Sequence, residues 1–244
     1  MTGKDRKRNE KQIKKAFARA TMRTWSDELK GSDSWHIFKV MAEFVEGFER
    51  LNKIGPCVSV FGSARTNPGH RHYKLAEEIA YKLTKSGYGI ISGGGSGIME
   101  AANKGAQRAG GKSVGLSIVL PYEQRSNPHV DHDKLFNFKY FFVRKVMFVR
   151  YAQGFVVLPG GLGTLDELTE ALTLIQTEKI ARFPIVLMDR AYWAGLLKWW
   201  KEVMLEEGNI DKDDLKFFHV VDTPDEAVAI INQFYKKYLL KPNF

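Results

Sequence analysis

Phe155-Val156-Val157-Leu158-Pro159-Gly160-Gly161-Leu162-Gly163-Thr164-Leu165-Asp166-Glu167 passes from a continuously apolar run, through a glycine-rich turn, into helical spacing. A strand that is apolar at every position is buried on both faces, as strands of a parallel sheet covered by helices are. Pro184-Ile185-Val186-Leu187-Met188 is a second strand of this kind. Working outward, further β-rich runs fall at 57–61, 88–92, 113–119, 135–142 and 217–221, with 154–158 and 184–188 completing the set. Helical candidates lie between and after them, at 71–85, 97–109, 143–152, 164–177, 192–206 and 224–238. This alternation predicts a doubly wound α/β fold, its sheet largely parallel with helices on both faces. Ligands of such sheets sit outside the carboxyl ends of the strands, so function is sought in the strand-to-helix turns.

Composition is consistent with that architecture. A chain of 244 residues, 44% apolar and 12% aromatic, can bury a sizeable core. No run approaches the ~18 consecutive apolar residues of a membrane span, and the polar start of the chain does not read as a secretory signal. Cys57 is the single cysteine, so no disulfide forms within the chain, and its apolar surroundings predict a buried, inert thiol. The chain reads as soluble and cytoplasmic. Of the net charge of +9, +7 comes from residues 1–23, where nine lysines and arginines face Asp5 and Glu10. Residues 1–30 therefore read as a basic, solvated tail; base-stacking aromatics are nearly absent from it, and no nucleic-acid role is expected. Residues 31–244 read as one domain that begins with an amphipathic helix over 34–51, with Ile37, Phe38, Met41, Phe44, Val45, Phe48 and Leu51 on its apolar face. Asp33 or Ser34 is placed to cap it.

Three glycine-rich stretches differ in meaning. Gly93-Gly94-Gly95-Ser96-Gly97 follows a strand and opens a helix, where backbone amides and the helix dipole suit a phosphate. As a dinucleotide fingerprint it fails, because Glu100 stands where the third glycine belongs and would repel a pyrophosphate. Gly110-Gly111-Lys112-Ser113 runs from helix into strand, the wrong direction for phosphate cradling, and reads as a helix C-cap. The opening stretch is the strongest: a tight turn between a buried strand and a helix, with the Thr164 hydroxyl beside it and the carboxylates of Asp166 and Glu167 in the first helical turns. One carboxylate pointing into the mouth of the turn would lie where a sugar attached to that phosphate falls. Arg144-Lys145, set inside Phe141-Phe142-Val143 and Val146-Met147-Phe148, reads either as a structural ion pair or as recognition of phosphate or ribose. His129-Val130-Asp131-His132-Asp133 matches no strong zinc spacing and reads as a polar loop.

Gly93-Gly94-Gly95, Arg144-Lys145 and Pro159-Gly160-Gly161-x-Gly163-Thr164-x-x-Glu167 together resemble the Lonely Guy (LOG) family, closest to its longer bacterial branch, over about residues 40–240. Its members are cytokinin riboside 5′-monophosphate phosphoribohydrolases, long mislabelled lysine decarboxylases. The resemblance implies a Rossmann-like fold assembled as a homodimer or larger homo-oligomer, with Arg144 and Glu167 catalytic. It further implies substrate contacts from Lys145, Gly160, Gly161, Gly163 and Thr164, with Gly94 and Gly95 in the first glycine loop. It extends to Glu123, in Pro121-Tyr122-Glu123, and to Thr173, two turns beyond Glu167. Two departures stand out: the family motif usually ends Glu-Glu where this chain has Asp166-Glu167, and short plant-type members lack an extension like residues 1–50. They leave plain AMP as well as cytokinin nucleotides in view as substrates.

The expected reaction is hydrolysis of the N-glycosidic bond of a nucleoside 5′-monophosphate to free base and ribose 5-phosphate, with neither metal nor cofactor in the scheme. Lysine decarboxylation would call for pyridoxal phosphate on a Schiff-base lysine, and no lysine stands in a suitable context. The rival is a non-catalytic nucleotide or molybdenum-cofactor carrier or sensor of the same fold. Arg144 with Glu167 separates the two, because a binder of an anion gains nothing from a carboxylate beside its phosphate loop.

Overall fold

The computed structural model describes residues 29–120 and 126–244, with side chains from Trp35 onward. Residues 1–28 of the basic tail and Glu123 therefore lie outside the described residues, while Leu29 and Lys30 already belong to the first helix. The chain divides into two compact units, Met1–Ala42 and Glu43–Phe244. In the first, the described residues are helical and belong to α1 (Leu29–Leu51), on which Trp35, Ile37, Phe38 and Met41 are exposed. Among the described residues no helix is long and apolar enough to cross a membrane.

Among the described residues the second unit carries seven parallel strands: β1 (Cys57–Phe61), β2 (Gly89–Ser92), β3 (Ser113–Ile118), β4 (Leu135–Phe138), β5 (Ala152–Val157), β6 (Ile185–Met188) and β7 (His219–Val221). Between and after them run α2 (Arg71–Lys85), α3 (Ile98–Arg108), α4 (Phe141–Tyr151), α5 (Leu162–Gln176), α6 (Arg190–Trp199) and α7 (Pro224–Tyr235). Strand order is β4-β3-β2-β1-β5-β6-β7. The chain thus winds outward from β1 to β4, returns to the other side of β1, and winds outward again. This is the Rossmann-like, doubly wound arrangement that the alternation of runs predicts.

Alternation along each strand divides the core. Val58, Val60, Val156, Leu158, Val186 and Met188 join Ile79, Leu83 and Ile98 of α2 and α3 and Ile231 of α7 in one cluster. Phe61 and Phe155 point to the opposite face, where Phe61 lies 4.9 Å from Phe148 of α4 and Phe155 lies 5.1 Å from Phe183. Each such fully buried side chain contributes about 1.5–3 kcal/mol relative to exposure.

Three elements differ from their sequence reading. The helix expected over 34–51 already includes Leu29, so Asp33 and Ser34 lie inside α1 and do not cap its start. The run 135–142 ends as a strand at Phe138, and Phe141 already begins α4. The cause is a cap from far along the chain: the Glu43 carboxylate accepts hydrogen bonds from the Lys139 and Tyr140 amides at 2.8 and 3.3 Å. The helix expected over 192–206 starts at Arg190, capped by the Asp189 side chain, and from Trp200 to Met204 winds as a π-helical turn.

Candidate active site

The reversal of winding places a crevice at the carboxyl ends of β1 and β5. A cleft of about 900 Å³ opens there. Its floor is built from the turn after β1 (Gly62 to Thr66) and the glycine turn after β5 (Pro159 to Thr164); Gly93, Arg144, Glu167, His72 and Tyr192 are among its walls.

The two turns are tied together before any ligand arrives. The Ser63 amide donates to the Pro159 carbonyl at 3.0 Å, and the Ile98 amide at the start of α3 donates to the Ser63 carbonyl at 3.0 Å. Gly97 holds this junction with φ +69°, and a Cβ there would collide with the Ser63 carbonyl oxygen, so only glycine serves. In the β5 turn, a Cβ on Gly160 would fall on the Thr164 side chain, which is buried against it. Gly161 and Gly163 are different: a Cβ on either would meet open space. Those two positions, at the positive end of the α5 dipole, leave room for an anion at the helix start.

Glu167 lies one turn further into α5 and is only 7% exposed. Burial pushes its carboxyl from the ordinary 4.5 up to about 7, against the opposing pull of the Arg144 and Lys145 charges. Arg144, near the start of α4, is held by a 2.7 Å hydrogen bond from Nε to the Leu116 carbonyl of β3 and by its approach to the Phe148 ring. Gly93 makes room for it: a Cβ there would come 2.8 Å from Arg144 Nη2. Burial lowers the Arg144 pKa, and the Glu167 charge offsets part of that. The arrangement is a desolvated carboxyl that titrates near neutrality beside a fixed cation, suited to general-base and electrostatic work.

The expected site residues divide in space. Arg144, Gly160, Gly161, Gly163, Thr164 and Glu167 all line the cleft. Lys145 turns to the α5 helix, where its ammonium pairs with Asp166 at 2.9 Å and Glu170 at 3.3 Å. Burial works against that charge, but the surrounding carboxylates outweigh it and raise its pKa. In the first glycine loop it is Gly93 that faces the cleft. The Gly94 amide donates to Ser92 Oγ, and the Gly94 and Gly95 carbonyls accept from the backbone and side-chain amides of Asn127. Asn127 in turn reaches Asn103, and Asn103 reaches Ser113, so a buried polar network fixes the loop from behind. Thr173 donates to the Thr169 carbonyl and borders a smaller, separate cavity with Trp200 and Phe218. In the 129–133 segment, His129 bonds Gln107, and Asp131 accepts from the Ser113 amide and pairs with Lys134.

Sequence reasoning missed one wall of the cleft. His70 and His72 stand side by side, their rings 4.8 Å apart, and His72 Nε2 lies 2.7 Å from the Asp189 carboxylate. Tyr192, at the start of α6, donates its hydroxyl to the Gly160 carbonyl at 2.6 Å. The signal was available: His70-Arg71-His72 and Asp189-Arg190-Ala191-Tyr192 each follow the carboxyl end of a strand.

Residues 99–231 match the model of a family described as possible lysine decarboxylase. A Mycobacterium tuberculosis protein named cytokinin riboside 5′-monophosphate phosphoribohydrolase is 30% identical over 177 residues, which is 70% of this chain and 90% of that protein. The Oryza sativa cytokinin riboside 5′-monophosphate phosphoribohydrolase LOG is 26% identical over 193 residues, 78% of each chain. Among solved structures, the molybdenum cofactor carrier protein of Chlamydomonas reinhardtii matches with a TM-score of 0.55 at 24% identity, covering 75% of this chain and 99% of that one. That likeness is one of fold.

Proposed function

The chain belongs to the LOG family, and from that premise we propose that it hydrolyses the N-glycosidic bond of purine nucleoside 5′-monophosphates, AMP and isopentenyladenosine 5′-monophosphate among them. The products are the free base and ribose 5-phosphate. The observation that carries this reading is Glu167: a buried carboxyl raised to about 7, in the cleft beside Arg144 and one helical turn beyond a glycine loop open to an anion.

Cleavage of a base–ribose bond builds positive charge at the anomeric carbon, as in glycoside hydrolysis. The 5′-phosphate sits at the start of α5, against Gly161, Gly163 and the Thr164 hydroxyl, and so holds the ribose over Glu167. Ionised Glu167 faces the developing charge and accepts a proton from the attacking water. The water oxygen bonds to C1′, the C1′–N bond breaks, and the base leaves with the bonding pair and takes up a proton. Arg144 balances the carboxylate and hydrogen-bonds the sugar or phosphate. Lys145 acts at one remove, holding Asp166 and Glu170 in ion pairs and lowering the Glu167 pKa through its charge.

A carrier of the same fold has no use for a buried carboxyl beside its anion loop, so Glu167 favours chemistry over carriage. The working form is proposed to be a cytoplasmic homo-oligomer. Chromatography of purified protein with AMP, isopentenyladenosine 5′-monophosphate and the two unphosphorylated nucleosides tests the reading. Base is expected from the monophosphates alone, and the ratio of the two rates ranks the bases. Equal release from the nucleosides would remove the phosphate from the mechanism, and tight nucleotide binding without any release would identify a carrier.

A further inference from the structure

The cleft that holds Arg144 and Glu167 is also lined by His72, whose ring is paired with the Asp189 carboxylate, and the phosphoribohydrolase scheme leaves this pair without a task. Asp189, at the end of β6, is 7% exposed. Its Oδ2 accepts from His72 Nε2 at 2.7 Å and from Arg71 at 2.5 Å, while Oδ1 accepts from the Tyr192 amide at 3.2 Å. Burial opposes the Asp189 charge, yet the hydrogen bonds from His72 and the Tyr192 amide, with the Arg71 charge, hold its pKa below the ordinary value. The residue sits in the left-handed region at φ +77°, unusual for a non-glycine, and three elements converge to keep it there.

The consequence is a fixed imidazole. His72 is pinned through Nε2 and is one of the residues that line the cleft. Position relative to the glycine loop follows from a short chain of contacts: His72 to Asp189, Asp189 to the Tyr192 amide, and the Tyr192 hydroxyl to the Gly160 carbonyl. The pair therefore stands on the glycine-loop side of the cleft. The other groups around it are His70, whose Nδ1 accepts from the His72 amide at 3.2 Å, Arg71, and the cleft-lining Arg65. Apart from Asp189 these are neutral or cationic, which suits a phosphate ester and not a base.

We propose that His72, oriented by Asp189, is a phosphate-recognising residue of this cleft, donating from Nδ1 to the ester phosphate whose other oxygens meet the start of α5. It would make the enzyme selective for phosphorylated over unphosphorylated nucleosides. Asp189 is a positioning residue that acts through the ring. The inference rests on the phosphoribohydrolase reading.

The test uses calorimetric titration of the full chain with ribose 5-phosphate and with adenosine, alongside kcat and KM for AMP, in wild type, His72→Phe, His72→Asn and Asp189→Asn. Loss of a charged hydrogen bond should weaken ribose 5-phosphate binding and raise the AMP KM about tenfold or more in His72→Phe, with kcat and adenosine affinity nearly unchanged. His72→Asn, which keeps a donor, and Asp189→Asn, which tolerates the left-handed backbone, should fall between it and wild type. Thermal unfolding confirms that each variant is folded, and should His72→Phe fail to fold, His72→Asn carries the comparison. Unchanged ribose 5-phosphate affinity in folded variants overturns the role of His72, as does a fall in kcat alone, which would put the ring at the leaving base. A wild type that neither binds ribose 5-phosphate nor releases base overturns the phosphoribohydrolase reading together with this one, so the two failures are distinct.

Discussion

Replacing Glu167 by glutamine removes a charge from a place that resists charge, and the effect on stability should carry a pH signature. In the folded protein the carboxyl titrates at about 7 against an ordinary 4.5. Between those values the folded state binds more protons than the unfolded one, so stability falls as pH rises; below the lower value the contribution is intact, and above the upper one it is lost. The difference of roughly 2.5 units, at ~1.4 kcal/mol each, amounts to about 3.5 kcal/mol in full, most of it lost by pH ~8. Glutamine has the shape of the protonated acid and does not titrate. The Glu167→Gln protein should therefore match wild type near pH ~4.5 and gain steadily above it, reaching about 3 kcal/mol of extra stability by pH ~8. For a chain of this size that is roughly 6–12 °C in Tm. Urea unfolding of both proteins, followed by tryptophan fluorescence at several pH values, measures the difference directly. A gap that does not change with pH, or a variant less stable than wild type at alkaline pH, refutes the claim that Glu167 is a desolvated carboxyl with a raised pKa. The wild-type pH–rate profile should show the same ionisation from the other side, with kcat/KM rising through about 7 as the base form appears.

Arg144→Gln removes the charge that most lowers the Glu167 pKa. Its neutral-pH kcat/KM should drop roughly 10²-fold and the rise in its pH–rate profile should move to higher pH. Lys145→Met should move that rise in the same direction by less, with KM unchanged; a raised KM with an unmoved profile would make Lys145 a substrate ligand instead of a partner of Asp166 and Glu170. Gly163→Ala puts a methyl group into open space on a helix, so it should unfold no more easily than wild type and gain up to about 1 kcal/mol, while its KM for AMP rises because the phosphate seat is crowded. Gly97→Ala drives a Cβ into the Ser63 carbonyl from a positive φ and should cost at least about 3 kcal/mol in urea unfolding.

The fold was legible because its decisive features are local. Strands such as Phe155–Leu158 are apolar on both faces, and the helix read over 71–85 spans the same residues in the structure. The glycine turn and Glu167 were legible for the same reason, since strand, turn and first helical turns are contiguous in sequence. What stayed hidden depends on contacts between distant residues. Phe141 and Phe142 read as the end of a strand because the cap that starts their helix comes from Glu43, 96 residues from Lys139. Arg144 and Lys145 look equivalent in sequence, but neighbours on a helix point about 100° apart. One enters the cleft and the other meets Asp166 and Glu170. Thr173 stands six residues beyond Glu167, and that spacing turns it to a different face of α5. His72 and Asp189 are 117 residues apart, and neither alone carries a motif.

The most direct test of the account follows the base and the phosphorus together. Wild type and Glu167→Gln are incubated with AMP, adenine is measured by chromatography, and phosphorus is followed by ³¹P NMR. Wild type should release adenine and ribose 5-phosphate in equal amounts, with no inorganic phosphate and no adenosine, and the glutamine variant should release neither product at a comparable rate. Inorganic phosphate and adenosine as products, or a glutamine variant as fast as wild type, would contradict hydrolysis of the glycosidic bond at Glu167.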